Sequence, residues 1–150
     1  MTKENKKNAY LYCKFRDEQF ALYDEYAKRH GLLMKTLLVV NVLFYAEDGM
    51  TQAEICKRTF QSKQTVNLIV KNLLSDRYVT VTEVPENKRN KIVQMTDAGR
   101  AYCEKIVRHI TWAEDTAMSM FTPDEQKQLI DLSRTFTKNL TILVNQEMED

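Results

Sequence analysis

Residues 51–99 constrain the fold more than any other part of this chain, because they read as two short helices, a basic hairpin and a new helix start. Thr51-Gln-Ala-Glu54 has the spacing of a capping box, in which a Thr hydroxyl and a Glu carboxylate satisfy each other's free backbone N–H groups. The helix it opens ends near Phe60. Ser62 caps a second helix, whose apolar residues Val66, Ile69, Val70, Leu73 and Leu74 recur at i, i+3, i+4, i+7 and i+8. Beyond Tyr78 the β-branched residues thicken (Val79, Thr80, Val81, Thr82, Val84). A turn over residues 85–90 then leads to a second strand over 91–95. Helix, turn, helix and a basic two-stranded wing is the arrangement by which a small domain sets one helix in a DNA groove and a hairpin on the neighbouring backbone.

The flanking segments are helical by pattern. A first helix is expected over residues 9–29, with Leu11, Phe15, Leu22 and Tyr26 on one face and Gly31 ending it beside Lys28 and Arg29. Residues 32–46 form a second, and Gly49 closes the turn before Thr51. Thr96 caps a long helix reaching about Met120, with Gly99 in its first turn permitting close backbone approach. Thr122-Pro-Asp-Glu125 combines an N-cap Thr, a Pro at the first helical position and a Glu closing the box, and this last helix runs to about Glu147. Ile106, Ile110, Ala113 and Ala117 line one face, and Leu129, Leu132, Phe136, Leu140 and Leu143 another. In a chain of 150 residues some of those stripes should lack an internal partner, which points to a helical dimer interface.

Net charge, at +1, becomes informative when divided along the chain. Residues 51–91 hold eight Lys/Arg against four Asp/Glu, while residues 92–150 hold six against ten. The positive excess thus sits on the helix-turn-helix and wing, as a polyanionic partner requires. The longest apolar stretch, residues 32–46, is broken by Lys35 and Asn41 and is too short for a membrane span. Residues 1–8 are polar and lysine-rich, with no apolar signal segment after them. Cys13, Cys56 and Cys103 are widely spaced and make neither a disulfide framework nor a metal pair, so a cytoplasmic chain is expected. His30 and His109 have no second ligand at metal spacing, and no phosphate loop or nucleophile motif is present. No enzyme activity, no cofactor and no metal are expected.

The blocks Met50-Thr-Gln-Ala-Glu-Ile-Cys-Lys-Arg58, Ser62-Lys-Gln-Thr-Val66, Leu73-Leu-Ser-Asp-Arg-Tyr-Val79 and Lys91-Ile-Val-Gln-Met-Thr-Asp-Ala-Gly99 together resemble the winged helix-turn-helix of the MarR family of bacterial transcriptional regulators. The order of flanking helices resembles that family over nearly the whole chain. Where family wings often carry Asp-x-Arg, this chain has Asn87-Lys-Arg89, which keeps the arginine and loses its carboxylate anchor. The resemblance implies a mainly α fold with a small β-wing, made of a winged helix-turn-helix plus N- and C-terminal dimerisation helices. It implies a single domain over 1–150, with 9–46 and 97–147 as helical dimerisation and core regions and 50–96 as the reading head. It also implies a homodimer on double-stranded DNA, repressing by default, with a small hydrophobic or phenolic effector.

On the Ser62 helix, Gln64 and Asn67 have the amides that pair bidentately with adenine, and Leu68 suits a thymine methyl. Thr65 and Lys71 are candidate phosphate contacts, as are Lys57 and Arg58 on the preceding helix, and Ser62, Lys63 and Lys91 complete the candidate DNA-binding set. Lys88 and Arg89 fall at the wing tip, where an arginine suits a narrow A·T-rich minor groove. Tyr10, Tyr12, Phe15, Tyr45, Trp112 and Met118 are aromatic or soft enough to line an effector pocket, although residues of this kind at helical spacing are more often plain core. Two other readings stand beside this one: a peroxide sensor acting through Cys13 with Tyr23 and Tyr26 on the same helix, and a winged helix that binds protein.

Overall fold

Side-chain caps at Thr2, Thr51, Ser62, Thr96 and Thr122 mark helix starts in this chain, and the computed structural model, which describes residues 1–146, contains them as hydrogen bonds. Six helices and three strands follow in the order α1 (Lys3–Arg29), α2 (Met34–Phe44), β1 (Met50–Thr51), α3 (Gln52–Thr59), α4 (Lys63–Ser75), β2 (Val79–Val84), β3 (Asn87–Met95), α5 (Asp97–Ser119) and α6 (Pro123–Val144). The side chains of Lys88 and Arg89 lie outside the described residues.

Helix α1 starts six residues earlier than its apolar pattern indicates, because Thr2 caps it by accepting the Asn5 N–H at 3.1 Å. Helix α2 is shorter at both ends than expected, and its N-cap, Leu33, has no side-chain oxygen to offer. The Thr51–Glu54 and Thr122–Glu125 capping boxes are both complete. Ser62 accepts the Thr65 N–H at 3.2 Å, and Thr96 accepts the Gly99 N–H at 3.0 Å.

The wing differs from the expected hairpin. Its turn is only Pro85-Glu86, and β3 begins at Asn87 instead of Lys91. Pairing runs from Val79 opposite Met95 to Glu83 opposite Lys91, then the register breaks and Val84 meets Asn87. Residues 88–90 are the excess on β3, a local irregularity of the kind that bends and twists a strand end. A third strand, β1, lies on the other side of β3, with Met50 opposite Val93 and Thr51 opposite Ile92, so the sheet order is β1-β3-β2. Gly49 (φ 73°) enters β1 in a left-handed conformation, and a Cβ there would run into the Val93 carbonyl oxygen.

Two units make up the chain, Met1–Arg108 and the segment from His109 onward. In the first, Leu37, Val39, Val40 and Leu43 of α2, Ile55 of α3, Val66 and Val70 of α4, and Val79 and Val93 of the sheet are buried together with Cys103 and Val107 of α5. Leu74, expected on the core face of α4, is instead 45% exposed. In the second unit Gln126 donates to the Met118 and Phe121 carbonyls at 3.1 and 3.0 Å, which secures the turn into α6. No residue of α6 is buried. Among the described residues, no helix is long and apolar enough to cross a membrane.

Candidate nucleic-acid interface

Helix α4 divides cleanly into two faces. Val66, Ile69, Val70 and Leu73 are buried against the rest of the first unit, which leaves Lys63, Gln64, Asn67, Leu68 and Lys71 exposed on the other side. Leu68 is 60% exposed in the middle of that polar face. Two of the expected DNA-binding residues have other work. The Ser62 hydroxyl receives the Thr65 N–H and lies 2.9 Å from the Thr65 hydroxyl, so both residues mainly set the start of α4.

A concavity of about 650 Å³ opens where α3, α4 and β3 meet. Lys63 and Asn67 of α4 line it together with Lys91 and Asn90 of β3. Thr51, Gln52, Ala53 and Cys56 close the α3 side. Two ammonium groups and three amides converge here, and the lining contains no carboxylate. That set offers N–H donors at several points, the chemistry that phosphate oxygens and base edges accept. Gln52 and Asn90 were not among the sequence candidates, because α3 and β3 are far apart in sequence and meet only in the fold. Lys57 and Arg58 are exposed on the last turn of α3 and do not line the concavity.

Four hydrogen bonds fix the platform that carries these groups. Gln61 in the α3–α4 turn donates to the Lys35 carbonyl at 3.1 Å, and Gln94 of β3 donates to the Glu47 carbonyl at 2.7 Å. The Arg100 guanidinium donates to the Phe44 carbonyl at 2.7 Å, and the Thr96 hydroxyl donates to the Arg77 carbonyl at 2.8 Å. At the base of the wing Tyr78 stacks on Tyr102, with ring centroids 4.5 Å apart and planes 11° from parallel.

The expected effector residues behave differently. Tyr10, Tyr12, Phe15, Tyr45, Trp112 and Met118 are all exposed, and none lines the concavity. Cys13 is half-buried on α1, and of the two tyrosines expected to support its thiolate, Tyr26 turns its hydroxyl to a backbone carbonyl. Arg16, on the same helix, pairs with Asp17 at 2.8 Å, and the Tyr26 hydroxyl donates to the Ile106 carbonyl. Cys103 is fully buried, and desolvation pushes its thiol up to about 11, which keeps it protonated and unreactive at neutral pH.

The MarR family's sequence model matches residues 30–90, which include α2, the helix-turn-helix and the first part of the wing. Over that segment the chain is similar to the MarR family. No curated protein matches it. Among solved structures, AbsC, a MarR family transcriptional regulator from Streptomyces coelicolor, superposes with a TM-score of 0.78 at 14% identity, over 94% of this chain and 97% of that one. MepR from S. aureus in its DNA-binding conformation gives 0.74 at 21% identity, over 91% and 98% of the two chains. The PcaV transcriptional regulator of Streptomyces coelicolor, solved with its natural ligand, gives 0.66 at 19% identity, over 87% and 91%. The mainly helical fold with its small winged sheet is therefore that of the MarR regulators.

Proposed function

We propose that the protein is a dimeric DNA-binding transcriptional regulator, a repressor by default, that is released from its operator by a small hydrophobic or phenolic effector. The observation that carries this reading is the polar face of α4, continuous with a carboxylate-free concavity lined by Lys63, Asn67, Asn90 and Lys91. In this reading α4 enters the major groove, where Gln64 and Asn67 read base edges while Lys63, Lys71 and Lys91 hold phosphates. Residues 50–96 are the reading head, and 9–46 and 97–147 supply core and dimer contacts. No reaction is assigned to it, and its site of action is the cytoplasm, where bacterial DNA lies.

A second copy of the chain accounts for the apolar surface of the terminal helices. Leu11, Phe15, Phe20 and Leu22 of α1 are exposed, as are Leu132, Ile142, Leu143 and Val144 of α6. Single exposed leucines need no explanation, but rows of them along whole helices mark an interface. MepR has been solved in complex with DNA, and PcaV with a ligand, and both capacities are carried over here as part of the proposal. The test is selection of duplexes from a random pool by the purified protein at near-physiological salt. Enrichment of an inverted repeat supports the reading, and recovery of no preferred sequence in the presence or absence of phenolic compounds contradicts it.

A further inference from the structure

Phe60 ends α3 in a left-handed backbone conformation, φ 54° and ψ 34°, with its side chain 95% exposed. A bulky residue in that region is strained, and glycine occupies it freely. The turn requires the backbone shape, since the Phe60 N–H closes on the Cys56 carbonyl and Gln61 next to it is tied to the Lys35 carbonyl. It does not require the phenyl group. The core does not require it either, because almost none of the ring is covered. Strain and exposure together leave the ring without a role inside the subunit.

Its position supplies one. Phe60 lies two residues before Ser62, the N-cap of α4, and the N-terminal residues of a recognition helix are those that approach base edges. Lys57 and Arg58 precede it and Lys63 follows, and no Asp or Glu occurs from Ile55 to Ser75. An apolar ring in so cationic a setting suits a polyanion that also presents apolar surface. DNA does so, through its deoxyribose faces and thymine methyl groups.

We propose that Phe60 is a DNA contact, its ring packing on a deoxyribose or thymine methyl at the edge of the major groove and fixing the register in which α4 enters. The proposal rests on the reading of α4 as the DNA-binding helix. The Phe60→Gly variant separates the two roles of the residue, because it relieves the backbone while removing the ring.

The experiment is fluorescence anisotropy on the selected duplex, with thermal melting of the same samples. Phe60→Gly is expected to melt no lower than wild type yet bind about tenfold more weakly, the scale of one lost base-level contact. The slope of log K against log salt should be unchanged, because no phosphate charge is released. Phe60→Asn, which also tolerates the left-handed region, should behave alike and serves if the glycine variant melts early. Wild-type affinity in both variants would overturn the inference while leaving the DNA-binding reading intact, and so would a loss of affinity with a reduced salt slope. Failure of wild type to bind any duplex would overturn both.

Discussion

The Tyr26 hydroxyl donates to the carbonyl oxygen of Ile106 at 2.7 Å, joining α1 to α5 across 80 residues of sequence. Tyr26 is buried beside Ala27, so this bond forms where water does not compete for it. Tyr26→Phe should cost about 1 kcal/mol, the typical net worth of such a bond. Urea unfolding checks this: the midpoint should fall with the slope unchanged, because the surface exposed on unfolding is the same. An unmoved midpoint would mean that the bond adds nothing to the joint.

Cys103 makes stability pH-dependent in a defined window. Burial raises its thiol from the ordinary 9.0 to about 11, so the folded chain holds a proton that the unfolded chain releases sooner. The stabilisation is complete below pH 9 and disappears as pH rises through 11. Desolvation raises Tyr26 and Tyr102 above 10.0 too, which steepens the upper end of the decline. Melting temperatures of wild type and Cys103→Ala across this range should converge as pH rises, since only wild type loses the cysteine contribution.

Lys63 and Asn67 line the same concavity but should fail differently. Lys63→Ala should weaken binding to all sequences and reduce the salt slope by about 1, as expected for one lost phosphate contact. Asn67→Ala should leave the slope alone and relax the preference at one base pair, worth about 1–3 kcal/mol. Titration of both variants against single-base operator changes distinguishes the outcomes, and identical behaviour would remove base readout from α4.

Leu132 is 71% exposed on α6, a helix with no buried residue. Leu132→Glu should therefore leave the monomer folded while placing a charge in the proposed dimer interface. Sedimentation velocity should show a shift from dimer to monomer, with helical circular dichroism retained. A persistent dimer would move the interface away from this face.

Helix starts were legible in the sequence where a side-chain cap stands directly ahead of a periodic apolar pattern, as at Thr51, Ser62, Thr96 and Thr122. The buried face of α4 was legible because four of its five periodic apolar residues pack inward, Leu74 being the exception. The start of α1 was not, since residues 3–8 carry no apolar stripe and the Thr2 cap lies ahead of any periodic signal. Strand β1 is two residues long and exists only through Val93 and Ile92, more than forty residues away, so no local pattern announces it. The concavity brings α3 and β3 together from far apart in sequence, and Gln52 and Asn90 were missed for this reason. The strain at Phe60 is a backbone property that composition does not carry. The aromatic residues proposed for an effector are exposed in the single chain, a placement that residue type and helical spacing do not reveal.

Hydroxyl-radical footprinting of the protein on its selected duplex tests the central claim most directly. A dimer that inserts α4 of each subunit should protect two symmetric half-sites centred about one helical turn, ~34 Å, apart, and methylation interference should map to the major groove within each. A single unsymmetrical patch, or protection confined to the minor groove, would contradict α4 as the reading element of a dimeric regulator.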